Sequence, residues 1–212
     1  MTLFTIELAS KMKAITRRKI LISLFCTLLY LVPHSMHGQD ARFGIVVGPN
    51  FSTLSSNFFE GHFRVGFHAG VFGQFKFSEK WALRPELFYS QQGMTIRDEP
   101  GSYTKFMNYN NYINLPVQLE YFFNDRFSLQ FGPGLGFLLK AKEITKYPGN
   151  DNTEDVTDTY NRVDVGFYLG FEYSFKKHFG LGLRFYSSFM YVEIGADRKR
   201  NLFFQLPLTY KF

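Results

Sequence analysis

The sequence predicts an all-β chain: an eight-stranded antiparallel up-and-down transmembrane β-barrel. Three observations predict it. Eight segments after residue 40 alternate large apolar residues with small or polar ones, the two-residue period of a strand with unlike faces. The connections between them alternate between tight turns and long polar loops. The apolar set, roughly six large side chains per strand, is too bulky for the interior of an eight-stranded barrel and must point outward.

The first segment reads as an export signal. Lys11, Lys13, Arg17, Arg18 and Lys19 form a basic segment, and the apolar run Ile20–Val32 behind them has signal length. Pro33 breaks the run, and the small residue Gly38 before Gln39 marks the expected cleavage point, giving a signal over 1–38 and a barrel over 39–212. Met12-Lys13 opens a more conventional signal, so residues 1–11 read as a leader from an upstream start. The signal carries five of the 24 basic residues and one of the 18 acidic ones, leaving 19 and 17. The formal +6 therefore shrinks to +2, and charge gives no argument for nucleic acid. The sole cysteine, Cys26, lies within the signal, so no disulfide is expected in the mature chain.

The strands follow in order. The first sets Phe43, Ile45, Val47, Pro49 and Phe51 against Arg42, Gly44, Val46, Gly48 and Asn50. The second sets Val65, Phe67, Ala69, Val71, Phe75 and Phe77 against Arg64, Gly66, His68, Gly70, Gln74 and Lys76. In the third, Trp81, Leu83, Pro85, Leu87 and Tyr89 oppose Arg84, Glu86 and Ser90. The fourth is the clearest: Ile113, Leu115, Val117, Leu119, Tyr121 and Phe123 against Tyr112, Asn114, Pro116, Gln118 and Glu120. The fifth opposes Phe127, Leu129, Phe131, Leu135, Phe137 and Leu139 to Ser128, Gln130, Gly132, Gly134, Gly136 and Lys140. The sixth runs from Val163 to Phe175 with Arg162, Asp164, Gly166, Gly170 and Glu172 on its polar face. The seventh runs from Phe179 to Tyr191 with Gly180, Gly182, Arg184 and Ser188. The last is Asn201–Phe212, with Leu202, Phe204, Leu206, Leu208, Tyr210 and Phe212 on one apolar face.

Tight turns fall at Ser78–Lys80, Asn124–Arg126 and Lys176–His178; longer loops fall at Thr53–His62, Thr95–Asn108, Lys142–Asn161 and Val192–Arg200. An even strand number places both termini on the short-turn side. Aromatic residues are 19% of the chain, which suits lipid-interface girdles. The polar face then fills the lumen, with its glycines leaving local gaps. Pro85, Pro116, Pro133 and Pro207 each remove a ladder donor, so bulges or strand ends are expected there. An arginine at Leu119 or Phe167 is expected to cost more than one at Gln118.

Three stretches carry a resemblance: P-E-L-F-Y-S-Q-Q-G at Pro85–Gly93, Y-I-N-L-P-V-Q at Tyr112–Gln118, and F-G-P-G-L-G at Phe131–Gly136. With them, residues 41–212 resemble the small outer-membrane β-barrel family of the Bacteroidota, often called porin-family or PorT-like. The resemblance implies an outer-membrane location, with the short-turn side and both termini in the periplasm and the long loops facing out of the cell. It implies outer-membrane lipid as a partner, and barrel assembly machinery that reads Tyr210 and Phe212 of the last strand. It implies architecture far more than activity.

Several residues invite a chemical reading. Inward Glu86 and Glu120 resemble an acid–base pair, but the stronger reading is a lumen charge network of Arg42, Arg64, Arg84, Glu86, Glu120, Arg162, Asp164, Glu172 and Arg184. A lone buried charge is costly, so such groups are expected to pair. Ser55, Ser56, Glu60 and His62 lack the spacing of a nucleophile elbow. Asp151, Glu154, Asp155 and Asp158 lack the calcium-loop spacing and read as a solvated loop. No enzyme activity, cofactor or metal is expected. The expected function is a structural or interaction role through the outer loops, with a protein partner there, as an accessory to secretion or uptake. The alternatives are a narrow passive channel and, third, a barrel lipid-modifying enzyme.

Overall fold

The computed structural model describes residues 41–55, 62–97, 105–147, 150–192 and 199–212. The expected signal, the expected upstream leader and the expected cleavage point lie outside the described residues, as do Ser56 and Glu60. Ten strands are assigned: β1 (Ala41–Ser55), β2 (His62–Lys76), β3 (Trp81–Arg97), β4 (Lys105–Phe122), β5 (Phe127–Tyr147), β6 (Asn150–Asp155), β7 (Val163–Ser174), β8 (Phe179–Ser188), β9 (Arg200–Gln205) and β10 (Leu208–Lys211). Each pairs antiparallel with its neighbour, except that β6 pairs only with β5. β9 and β10 both lie between β8 and β1 and close the ring. They are two pieces of one strand. The pairing Asn50↔Gln205 continues as Val47↔Leu208, and Arg184↔Gln205 continues as Leu181↔Leu208, with no shift. Eight strands therefore go round, as the periodicity predicts, and the closed ring leaves no unpaired edge within the spanning wall.

The prolines behave differently from expectation. Only Pro207 coincides with a break, at Leu206–Pro207. Pairing keeps a constant register past Pro85, Pro116 and Pro133. A missing N–H removes one ladder bond but does not displace the strand. The irregularities lie elsewhere. Four residues of β2, 64–67, face three of β3, 91–93, and Gly93 adopts φ +132° there, a backbone state that favours glycine. The carbonyls freed at this bulge are taken by inward side chains: Asn50 Nδ2 donates to Gln91 O (2.6 Å), Arg64 Nη1 to Gln92 O (3.0 Å) and Ser52 Oγ to Gly93 O (3.0 Å). A second bulge at Leu139 lies between the pairs Tyr112↔Leu138 and Asn111↔Lys140. It reverses the phase of β5, so Lys140 is exposed instead of inward, and Ala141 is buried in its place.

The faces fall as volume dictates. Phe43, Val65, Val71, Leu87, Phe137, Leu169, Leu183 and Leu208 are all exposed, while Arg84, Glu86, Gln118, Glu120 and Arg184 are almost wholly buried. At the short-turn rim outward rings meet edge to face or tilted: Trp81 with Tyr121 (4.8 Å), Phe179 with Tyr210 (4.9 Å) and Tyr210 with Phe212 (5.6 Å). This is the aromatic girdle that the composition suggests.

Two of the expected long loops are largely strand. β3 and β4 continue as a hairpin through Arg97 and from Lys105, with Ile96 opposite Phe106. β5 continues to Tyr147 and folds back as β6. Ile96 and Phe106 both pack on an apolar cluster at the outer end of the lumen, which is what holds these extensions upright.

Candidate functional site

The inward side chains form three layers. The first, nearest the short turns, is ionic. Arg84 donates Nη1 to Glu172 (2.7 Å) and Nε to Glu86 (2.8 Å), and its Nη1 lies 3.7 Å from Glu120. Arg184 grips both oxygens of Glu86 at 2.8 Å, the bidentate fork that suits a carboxylate. Lys211 Nζ sits 2.7 Å from Glu172 Oε1, as an ion pair without hydrogen-bond alignment. Glu120 takes its hydrogen bonds from Gln74 Nε2 (2.6 Å), Ser128 Oγ (2.7 Å) and Gln130 Nε2 (3.2 Å). The register explains the convergence: β2, β3, β4, β5, β7, β8 and β10 each contribute at a similar height. Three cations, Arg84, Arg184 and Lys211, meet three carboxylates, Glu86, Glu120 and Glu172, so the layer is neutral. The Arg84 guanidinium also lies 4.0 Å from the ring centre of inward Phe72.

Five expected members thus join the network: Arg84, Glu86, Glu120, Glu172 and Arg184. Four do not. Arg42 is exposed at the short-turn mouth, because it stands at the very start of β1. Arg64 is buried but finds a ring and a carbonyl in place of a carboxylate: its guanidinium lies 3.9 Å from the centre of Tyr109. Arg162 precedes β7 and pairs with Asp158 (2.8 Å) on the surface. Asp164 is buried among hydroxyl and amide donors, Ser188 Oγ and Asn201 Nδ2 (2.8 Å), with no cation in ion-pair range among the described residues. Lys211 is the member that alternation alone did not single out. Its inward parity on the last strand was the available signal.

The second layer is aromatic. Phe88, Tyr168, Tyr186 and Phe203 are all essentially buried inside the ring, with Tyr186 stacked on Phe203 (4.5 Å) and tilted against Tyr168 (4.5 Å). Sequence reasoning counted the inward glycines as gaps and did not weigh these rings. The glycines are where the rings lie: a methyl group at Gly134 would collide with Tyr168, and one at Gly166 with Tyr186. The third layer, at the outer end, is apolar: Leu54, Met94, Tyr112, Leu138, Ala141, Val156, Tyr160 and Val192. Val156 and Tyr160 flank a 3-10 turn at Thr157–Thr159, so the segment after β6 folds in and caps the lumen. Tyr160 is anchored there by Asn108 Nδ2, which donates to its hydroxyl (2.6 Å).

Outside the wall, three of the four acidic loop residues are tied to cations: Asp151 to Lys146 (3.3 Å), Asp155 to Lys140 (3.2 Å) and Asp158 to Arg162 (2.8 Å), while Glu154 is exposed opposite Glu143. Among the described residues no group of three or more His, Asp or Glu is arranged to hold a metal ion. Glu86 is locked in ion pairs with Arg84 and Arg184, and Glu120 in hydrogen bonds from Gln74, Ser128 and Gln130, inside the filled lumen.

The sequence profile of the outer membrane protein β-barrel domain family matches residues 35–192. The chain belongs to this family. Solved outer-membrane proteins are similar to the chain at low identity. Ail, the attachment invasion locus protein of Yersinia pestis, is similar with a TM-score of 0.50 and 14% identity, over 82% of this chain and 99% of that one. Neisserial surface protein A gives 0.48 and 14% over 82% and 99%. The N-terminal β-barrel domain of Pseudomonas aeruginosa OprF gives 0.39 and 8% over 82% and 100%. At such identities the likeness to Ail speaks for the fold alone. No curated protein sequence matches the chain.

On this outer-membrane barrel the turn after β6 carries a measurable signature. Hydrogen bonds from the Thr157 hydroxyl and N–H, and then the Lys140 ammonium, hold the Asp155 carboxyl down at about 2. A lowered folded value means that the contact contributes above the ordinary aspartate value and is lost as pH falls through about 2. We expect the Asp155 side chain to titrate there by NMR, and to move up toward the ordinary aspartate value in Thr157→Val. An unchanged titration in that variant would mean that Lys140 dominates.

Proposed function

We propose that the protein is a closed, non-enzymatic barrel that anchors an outer binding surface, with an interaction role accessory to secretion or uptake. The observation that carries this reading is the filled lumen: a neutral ionic layer, an aromatic layer and an apolar cap succeed one another along the axis. With the lumen filled in this way, the exposed groups of β6 and of the β5 extension are, among the described residues, what the protein presents outward.

Export through a signal over residues 1–38 and periplasmic termini belong to the same proposal. The Pro85–Gly93, Tyr112–Gln118 and Phe131–Gly136 stretches support placing the chain with the PorT-like barrels of the Bacteroidota. Recognition of Tyr210 and Phe212 by assembly machinery is supported by their outward rings on the last strand, where the Phe212 N–H donates to Phe43 O (2.9 Å).

The test is planar-bilayer conductance of purified protein. We expect a flat baseline with no stable open pore. Discrete steps that scale with salt and are absent from a mock preparation would replace this reading with the narrow passive channel.

A further inference from the structure

The short-turn end of the lumen opens into a recess of about 570 Å³. Lys211 forms its floor, joined below to Glu172. Around it stand Arg42, Lys76, Lys80, Arg126, Lys176 and Lys177, against two carboxylates, Glu79 and Asp125. Among the described residues no carboxylate lies within ion-pair distance of any of these six cations. The network inside the barrel is charge-balanced; this ring is not.

The turns do not need these cations for their own folding. Asn124 Oδ1 accepts from the N–H groups of Arg126 and Phe127 (both 2.9 Å), and Ser78 Oγ accepts from Trp81 N–H (3.0 Å). Small polar residues therefore close the turns without these cations, of which Lys76 rests over the Phe122 ring (4.5 Å). Six like charges round one mouth repel one another and weaken the folded state, while focusing a field that attracts anions. The cations line the axial recess, whereas the residues that face lipid at this height are rings such as Phe77, Phe127, Phe179 and Phe212. An anionic phospholipid with its chains in the bilayer would meet the rings first. The recess has the size of a ligand pocket, suited to a few side chains of an extended segment.

We infer that this mouth binds a carboxylate-rich segment of a soluble partner on the periplasmic side. The inference rests on the orientation proposed above, with the short turns in the periplasm. Electrostatic complementarity of this kind acts on encounter rate and specificity, and salt weakens it.

The test uses the full mature chain folded in phosphatidylcholine nanodiscs, with fluorescein-labelled hexaglutamate as probe and anisotropy as readout. Saturable binding is expected, and it should weaken strongly as salt rises. The triple variant Lys80→Glu, Arg126→Glu, Lys177→Glu should bind at least tenfold more weakly. The charge-matched triple Lys105→Glu, Arg162→Glu, Arg200→Glu at the other end should bind like the wild type. Heat-modifiable gel migration reports whether each variant folds. If the first triple does not, the milder pair Lys176→Gln, Lys177→Gln should still weaken binding measurably. Equal affinity in wild type and folded recess variants would overturn the inference. So would a recess-dependent preference for phosphatidylglycerol over phosphatidylcholine without hexaglutamate binding, which would assign the ring to lipid. Orientation is read separately with Asp125→Cys, since the sole native cysteine, Cys26, lies in the signal. An impermeant maleimide should label it only after the outer membrane is permeabilised. Labelling on intact cells would overturn the orientation and leave the binding result standing for that end of the barrel.

Discussion

Replacing Arg84 by methionine is expected to lower the unfolding free energy by about 3–5 kcal/mol, the cost of leaving buried carboxylates without their cation. Arg84 is the hub: it touches Glu86 and Glu172 directly and stands near Glu120. Its removal leaves Glu86 with Arg184, Glu172 with Lys211, and Glu120 with amide and hydroxyl donors only. Urea unfolding of the barrel in lipid vesicles, followed by tryptophan fluorescence of Trp81, measures the loss. The double variant Arg84→Met, Glu120→Gln restores neutrality and should recover part of it. A loss below about 1 kcal/mol in Arg84→Met would place the network among exposed pairs, which contribute little, and would mean that water reaches the lumen freely.

An arginine at Phe167 is expected to cost about 2–4 kcal/mol, because Phe167 faces lipid midway along β7 and charge on that face is worst near the bilayer centre. Leu119 lies closer to the short turns, three residues before the end of β4, so the same change there should cost less. The inward control differs from the one alternation suggests. Gln118 is wholly buried and paired in register with Arg84, so an arginine there would add a fourth cation to three carboxylates. Leucine is the better inward replacement. Both polar atoms of the Gln118 amide lack a hydrogen-bond partner in the protein, so Gln118→Leu should change stability by less than about 1 kcal/mol. The same vesicle unfolding experiment ranks the three. If Phe167→Arg proved harmless while Gln118→Leu proved severe, the two faces would be inverted.

Alternation placed Phe167 outward and Gln118 inward correctly, because a strand's side chains have only two directions. It could not place Gln118 beside Arg84, since that neighbourhood is made by the pairing of β3 with β4. Arg64 and Arg162 were expected in one network for the same reason: sequence gives a face, and height along the axis depends on bulges and on where each strand starts.

The sequence by itself determined the strand number, the antiparallel order, the outward face and the inward identity of Arg84, Glu86, Glu120, Glu172 and Arg184. A period of two and a limit on interior volume are local or additive properties, and both can be read from a chain. Only the tertiary structure decided that Lys211 completes the ionic layer, that Tyr168 and Tyr186 lie over Gly134 and Gly166, and that Val156 and Tyr160 cap the outer end. Each of these depends on residues far apart in the chain meeting at one height in a closed ring. The bulge at Leu139, which turns Lys140 outward, and the stagger of the strands set that height, and neither carries a period that the sequence displays.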